Sequence, residues 1–553
     1  MTTRRLRPLH WYDARALLGV TTLALGVSCG DRNVTPAGGD TGALLRIAAA
    51  ADADALIPPL VATLQGKQVV DQLFDHLAEP VPPLRTVGDA GFRPQLAAGW
   101  RWAPDSLSVA FALNPAARWH DGTPVRARDV ALSFALYTDP AVASPHAANF
   151  AGIDSVTIGD SLTAVVWWGK RHPEQFFQVA YNLAIVPAHL LERADRTALA
   201  STPFATAPVG TGRYRLERWT RGSDLVLRAD SGNYRGRPGF DRVVWLVAPD
   251  PTAAGTRLRA GEADVLDQVR GELAGQLRDD PALALVDYGS LQYASLLLNH
   301  ARTTGPARGL FASRALRVAL TQALDRPALV ANALDSLGQV ALGPVPRSEP
   351  TANPAMRQLA YDTAAAGRTL DSLGWRRTAP AGERRRNGQP LAFGILTPAS
   401  SATRQRLAVL LQEQYRRLGV TVTVDAVDPA TFGKRLAEGD FDTALHLWQS
   451  DPSPATIRQA WGSPRGAEIG ANFSRYANPR VDALLDSAAV TFGDTRRTAL
   501  FQQAYQAMVD DAAAIWLYEP RNLLAVRRTM APTGVRADAW WGDLGGWRPA
   551  PAR

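Results

Sequence analysis

Residues 107–134 read LSVAFALNPAARWHDGTPVRARDVALSF, and this stretch decides the fold of the chain. Its first seven residues are apolar at every second position, which is the period of a strand with one buried face. The Asn-Pro pair at 114–115 ends that strand, and the Asp-Gly pair at 121–122 provides a tight turn that needs a positive φ. Beyond the turn, Val130 and Phe134 stand at helical spacing. The stretch therefore predicts a strand, a turn and a helix in that order.

The polar and aromatic residues of this turn have two possible roles. In the structural role, Trp119 packs in a core while Asp121 and Asp129 accept hydrogen bonds from backbone donors. In the functional role, the same side chains contact a ligand. We favour the structural role, and we interpret His120 as a corner residue rather than a base or a metal ligand.

The run WHDGTPV at 119–125, followed by Asp129 and Val130, resembles the signature region of the family 5 extracellular solute-binding proteins. These are the peptide- and nickel-type receptors of bacterial ABC importers. Other segments carry the same resemblance, namely PVGTGRYRL at 208–216, GEADV at 261–265, RVALTQALDR at 317–326 and NFSRYANPRVDALL at 472–485. The resemblance implies an α/β fold of the periplasmic-binding-protein type II kind, with two large α/β lobes joined by a hinge and an extra subdomain in the first lobe.

The chain of 553 residues is too long for a single hydrophobic core, so several lobes are expected. The predicted organisation is a signal peptide at 1–29, a flexible tether at 30–43, the first part of lobe I at 44–74, an extra subdomain with the signature motif at 75–206, the second part of lobe I at 207–300, lobe II at 301–515, and a return to lobe I with the C-terminal tail at 516–553.

The N-terminus has the features of an export signal. Three arginines among the first seven residues precede a charge-free apolar run at 16–27, which is too short to span a bilayer stably. The only cysteine of the chain, Cys29, follows this run and resembles the lipidated cysteine of bacterial lipoproteins. Gly26 occupies the usual leucine position, so cleavage elsewhere with an unmodified Cys29 is the alternative. Lipidation of Cys29 predicts a membrane anchor and an extracytoplasmic location in the cell envelope.

Composition gives little support to nucleic-acid binding or catalysis. The net charge is +8, but the basic residues are dispersed, and the densest cluster, at 376–386, is interpreted as a solvated loop. The eight histidines lack metal-ligand spacing, and no HExxH or CxxC motif occurs in the sequence; the GxSxG match at 26–30 lies at the end of the export signal and is not a nucleophile elbow between a strand and a helix. The sequence thus predicts a protein without a catalytic site, a metal or a cofactor, and without nucleic acid as a partner.

A ligand-binding loop is predicted at 448–454, WQSDPSP, because it follows a strand at the position where open α/β sheets hold ligands. It resembles the family loop whose aspartate contacts the amino terminus of bound peptides, which makes Asp451 the candidate for that role. The alternative for Asp451 is a turn or capping residue before proline. Trp448 either lines a side-chain pocket or fills the core. Asn472 and Phe473 are further candidates for ligand contact.

The resemblance predicts a substrate-binding receptor of an ABC importer that captures oligopeptides between its lobes. Its expected partners are the ligand and the permease subunits, and a monomer is expected. An oligosaccharide ligand, stacked on some of the 15 tryptophans, and a nickel complex are alternatives within the same fold. An exported hydrolase and an envelope chaperone are alternatives from other classes.

Overall fold

The structure is a computed structural model that describes residues 42–269, 271–334, 337–464 and 470–551, the side chain of Glu272 excepted. The predictions of a signal peptide, of lipidation at Cys29 and of most of the tether fall outside the described residues.

Seven strands of the described chain form the sheet of the first lobe. In spatial order they are Leu283–Asp287, Leu523–Arg527, Val265–Val269, Leu44–Ala49, Arg242–Val247, Asp224–Ala229 and Tyr214–Thr220. The central strand Leu44–Ala49 pairs in parallel with Arg242–Val247. Its side chains alternate between the faces of the sheet: Ile47 packs into one hydrophobic core and Ala48 into another. The sheet is therefore covered on both sides.

The extra subdomain confirms the strand, turn and helix predicted from residues 107–134. Its sheet contains, in spatial order, Ala97–Trp102, Ser108–Leu113, Thr163–Trp168 and Ile153–Asp160. Gly122 adopts the positive φ of +88° that the turn requires, and helix Ala127–Thr138 follows. The buried residues of this subdomain belong to the same hydrophobic cluster as the first lobe, so the two share one core.

Six strands of the described chain form the sheet of the second lobe. In spatial order they are Gly338–Val340, Ala514–Pro520, Gln292–Leu298, Thr443–Gln449, Ala392–Pro398 and Thr421–Val427. Alternating side chains of strand Gln292–Leu298 reach two separate cores, with Leu296 in one and Leu297 in the other. Helices pack against both faces, which makes this lobe a layered α/β structure.

The α-helices are distributed over both lobes. They are Leu64–Leu73, Ala127–Thr138, Gln175–Asn182, Ala188–Leu191, Pro251–Ala260, Glu272–Arg278, Arg314–Gln322, Arg326–Leu334, Thr363–Ser372, Ala402–Leu418, Pro429–Glu438, Ile457–Trp461, Pro479–Ala489 and Asp494–Asp510. Short strands complete the fold, with Arg376–Arg377, Arg384–Arg386 and Gln389–Pro390 in one sheet, Ala78–Pro80 with Phe92–Pro94 in another, and Met530–Ala531 with Arg548–Pro549 in a third.

The chain passes between the two large sheets at residues 288–291 and again at residues 521–522. These segments adjoin, because the backbone N–H of Tyr288 donates to the carbonyl of Asn522 at 3.1 Å. The boundaries predicted at 300 and 515 are therefore wrong: Gln292–Leu298 and Ala514–Pro520 pair with each other in the second-lobe sheet. Both strands are almost entirely buried, so their apolar pattern fits either lobe.

One local expectation, the solvated loop at 376–386, also needs correction. In the arginine-rich segment, the Arg384 side chain is buried rather than solvated, and its Nη1 donates to Asp371 and to the Trp375 carbonyl at 2.6 and 2.7 Å. Burial of a guanidinium is tolerated there because these acceptors replace its water.

Candidate ligand-binding site

The signature corner has the structural role that the sequence favours. Trp119 is buried, and its Nε1 donates to Asp129 Oδ2 at 3.3 Å. The same carboxylate accepts from the backbone N–H groups of Arg126 at 2.8 Å and Ala188 at 2.7 Å. Asp129 thereby joins the start of its own helix to the start of helix Ala188–Leu191. The corner supports the first lobe rather than contacting a ligand.

His120 fixes a glycine turn against the helix Leu64–Leu73. Its Nδ1 accepts from the Gly210 N–H at 3.1 Å and its Nε2 donates to the Gly212 carbonyl at 2.9 Å, so the ring is neutral. Burial lowers the pKa of His120. A Cβ on Gly210 would lie 1.7 Å from the Leu73 carbonyl oxygen, which explains the glycine. The turn thus supports the helix that forms one wall of the cleft described next.

A cavity of about 560 Å³ lies between the two lobes and is lined by both of them. Its first-lobe wall comprises Thr63, Lys67, Asp71, His76, Tyr137, His146, Tyr181, Trp540 and Trp541, among others. Its second-lobe wall comprises Gln292, Gln449 and Asp451. Residues of both crossing segments, including Tyr288 and Asn522, also line it. The volume is within the range of about 300–1,000 Å³ that is typical of ligand sites.

Asp451 follows the strand Thr443–Gln449 and faces this cavity, as the sequence predicts for a ligand-binding aspartate. Among the described residues its carboxylate has neither a hydrogen-bond partner nor an ion-pair partner. The side chain retains solvent-exposed surface, yet desolvation by the surrounding protein raises the pKa of Asp451. The solvent exposure and the raised pKa of Asp451 are compatible, because its exposed surface lies in a cavity that has protein on both sides. An unpaired carboxylate in such a position favours binding of a cation.

Trp448 and Phe473 lie beside the cleft rather than in its main cavity. Trp448 is half-buried, and its ring centroid is 5.8 Å from that of His446. Together with His446, these two residues line a side pocket of about 10 Å³. Burial lowers the pKa of His446 to about 4, so its imidazole is neutral at physiological pH. The structure therefore places Trp448 and Phe473 near the cleft, and their contact with a ligand stays a prediction.

Asn472 has a structural role that corrects the sequence-based expectation. Its side chain is fully buried, and its Nδ2 donates to the carbonyls of Gly462 and Tyr476 at 2.8 Å each. Its Oδ1 accepts from Ser474 Oγ and from the Tyr476 N–H. Because the amide is engaged on both ends by its own loop, it has no free group to offer a ligand.

The first-lobe wall holds a charged group that the sequence did not reveal. Lys67 Nζ lies 3.0 Å from Asp71 Oδ1, one helical turn away, and Trp541 Nε1 donates to Asp71 Oδ2 at 2.8 Å. Burial by itself raises the pKa of Asp71, but Lys67 and this hydrogen bond outweigh it and lower the pKa. Trp541 lies 470 residues beyond Asp71, so no local pattern indicated the contact. The C-terminal tryptophans thus belong to the cleft wall.

A second connection joins the lobes through Glu174 of the extra subdomain. Its Oε1 lies 2.8 Å from Nη2 of Arg497 and accepts from Thr86 Oγ1 at 2.6 Å. Its Oε2 accepts from Ser453 Oγ, in the loop that follows Asp451. The Arg497 side chain is only 4% exposed, so this pair is shielded from water. The lobes are therefore in polar contact at the loop that the sequence predicts to bind the ligand.

No group of three or more histidine, cysteine, aspartate or glutamate side chains in the described chain is arranged to hold a metal ion. Among those same residues, no helix combines the length and the apolar character needed to cross a membrane.

Comparisons with known proteins agree with this architecture. The family model described as "Bacterial extracellular solute-binding proteins, family 5 Middle" matches residues 91–468. The probable D,D-dipeptide-binding periplasmic protein DdpA of Escherichia coli K12 is 26% identical over 499 residues, covering 88% of this chain and 90% of that protein.

Two solved structures share the fold. The oligopeptide-binding protein AppA of Bacillus subtilis, in complex with a nonapeptide, has a TM-score of 0.73 at 21% identity and covers 92% of this chain and 99% of its own. NikZ of Campylobacter jejuni, in complex with Ni(L-His), has a TM-score of 0.72 at 22% identity, and the match covers 91% of this chain and 99% of NikZ.

Proposed function

The chain belongs to the bacterial extracellular solute-binding proteins of family 5, and from that membership we propose that it is the receptor of an ABC importer with an oligopeptide as its solute. Two lobes connected by two short crossing segments are suited to this task. Opening about such a hinge admits the solute, and closing shields it until the permease receives it. The solute is released chemically intact, because the role requires binding and delivery only.

The single observation that carries the peptide proposal is the unpaired carboxylate of Asp451 in the interlobe cavity. A peptide with a free amino terminus supplies the ammonium group that such a carboxylate binds. The cavity also offers amide side chains, Gln292 and Gln449, at the ends of two central strands of the second-lobe sheet. An extended peptide lying across these strand ends exposes the backbone groups to which these amides hydrogen-bond. Peptide-binding relatives of the same fold are consistent with this assignment.

A nickel complex is the second candidate, since NikZ shares the fold. His76 and His146 line the cavity and are the residues to test for this alternative. Burial lowers the pKa of His76 to about 4, so its imidazole is neutral at physiological pH and able to bind a metal. The peptide is favoured because Asp451, a carboxylate without a partner among the described residues, lies on the second-lobe wall of the cavity, whereas both histidines lie on the first-lobe wall.

We propose that the protein acts outside the cytoplasm as a monomer, anchored to a membrane by a lipid on Cys29. The apolar run at 16–27 and the cysteine that follows it support this proposal. A lipid anchor with more than one acyl chain gives stable membrane attachment, whereas a single acyl chain binds only weakly. Replacement of Cys29 by serine is expected to move the protein from the membrane fraction to the soluble fraction, whereas unchanged membrane association contradicts the anchor.

The proposed function is tested by identifying the ligand that co-purifies with the native protein. Protein purified without refolding is analysed by native mass spectrometry, and titration calorimetry then compares free-amine peptides with their N-acetylated forms. We expect a co-purified peptide, recovered intact, and much weaker binding of the acetylated form. Binding of Ni²⁺ chelates or oligosaccharides in place of peptides, or cleavage of the peptide, contradicts the proposal.

A further inference from the structure

A small pocket opens beside the main cavity at Asp451. Its volume is about 10 Å³, which is close to the space that one water molecule needs. Glu349, Asp451, Ser453 and Tyr505 are among its lining residues. Asp451 lines both spaces, so the small pocket is a side chamber of the interlobe cleft. This space is sufficient for an ammonium group, which is about the size of a water molecule.

Glu349 is the buried carboxylate of this chamber. The residue is only 4% exposed, and its Oε1 has no hydrogen-bond partner within the described parts of the chain. A buried carboxylate oxygen without a hydrogen-bond partner is energetically unfavourable. Such oxygens are rare unless a ligand or an ion makes the missing contact. The residue lies in a loop, outside helices and strands, where no helix end or sheet requires an acid. Its position therefore has no structural explanation of its own.

We propose that Glu349 and Asp451 together form an ammonium subsite, in which Glu349 joins Asp451 in binding the amino terminus of the peptide. This inference rests on the proposed peptide-binding function and assigns it a second recognition residue. An ammonium group has three N–H donors and suits two carboxylates that line the same small pocket. The subsite then selects peptides whose amino terminus is a free primary amine.

The surroundings of Glu349 imply that binding releases a proton. Desolvation raises the pKa of Glu349 well above its usual value, the negative charges of Glu174 and Asp451 raise it further, and Arg497 opposes them. The Tyr505 phenol, whose pKa is itself raised by burial, stays neutral beside it. The empty chamber thus favours a protonated Glu349. When an ammonium group enters, the carboxylate ionises and its proton passes to the buffer, while no covalent bond to the peptide forms.

The test uses the full mature protein and the tightest-binding member of a synthetic library of unblocked tetrapeptides, together with its N-acetylated form. Calorimetric titrations in phosphate and in Tris, which differ in heat of ionisation, report the number of protons released. We expect Glu349→Gln to weaken binding at least tenfold and to abolish proton release. Glu438→Gln, an exposed carboxylate on the same lobe, serves as the matched control and is expected to change neither quantity.

The outcomes separate this inference from the function on which it rests. If no library member binds the wild-type protein, the peptide function fails and the subsite fails with it. If Asp451→Asn weakens binding but Glu349→Gln leaves affinity and proton release unchanged, peptide binding stands and the role of Glu349 is refuted. Competition by micromolar Ca²⁺ would instead assign the carboxylate pair to a metal ion and also refute it. Should Glu349→Gln fold poorly, Glu349→Met gives the same comparison without a polar atom in the chamber.

Discussion

The substitution Asp451→Asn tests the contact between the receptor and the peptide amino terminus, because it removes the charge while keeping the shape of the side chain. Truncating one partner of a desolvated charge pair costs about 2–5 kcal/mol. Asp451 retains solvent-exposed surface in the empty cleft, which places it in the lower half of that range. A loss of about 2–3 kcal/mol corresponds to a roughly 30- to 150-fold higher Kd.

The assay is a titration of wild type and variant with one peptide in its free-amine and N-acetylated forms. Acetylation is expected to weaken binding to the wild type by a similar factor and to add little in Asp451→Asn, because both changes remove the same interaction. The exposed Glu438→Gln variant controls for net charge. An affinity of Asp451→Asn within twofold of wild type, or fully additive losses, would remove Asp451 from the site.

Three further predictions concern stability and closure. The pKa of Glu349 is raised above its usual value of 4.5, so the folded state loses stability as the pH rises above 4.5. Glu349→Gln removes this cost and is expected to stabilise the empty protein by about 1–3 kcal/mol at pH 7. No stabilisation is expected at pH 4, and denaturant unfolding at the two pH values measures the difference. Glu174→Gln removes the charge that pairs with Arg497, so small-angle scattering is expected to show a more open, larger empty protein, and an unchanged radius of gyration contradicts a closing role. Gly210→Ala is expected to lower the free energy of unfolding by about 3 kcal/mol or more, because its Cβ would collide with the Leu73 carbonyl. Gly99→Ala is the control, since a Cβ there meets no atom within 4 Å. Its free energy of unfolding is expected to differ from that of the wild type by no more than about 0.5 kcal/mol in the same assay.

Local patterns in the sequence predicted individual elements. The alternating strand, the turn at Gly122 and the helix that begins at Ala127 each have their signal within residues 107–134. The boundaries between lobes could not be predicted in this way. Strands such as Gln292–Leu298 and Ala514–Pro520 are buried on both faces, and a continuous apolar pattern does not specify a pairing partner.

The candidate site shows the same division. Asp451 was accessible to sequence reasoning because it follows a strand within a recognisable loop. Glu349 carries no local signal, since its significance comes from burial beside a residue about a hundred positions away. Trp541 likewise gains its role only by contacting Asp71 across the fold. Asn472 shows the opposite case, because its position in a family-like segment reflects the hydrogen bonds of its own loop rather than a ligand.

The most direct test of the account is a crystal structure of the protein with its co-purified guest. We predict an intact peptide in the cavity between the lobes, with its terminal nitrogen within about 3 Å of the Asp451 carboxylate. A guest bound outside this cavity, or a guest in the cavity without a cationic nitrogen near Asp451, would contradict the account.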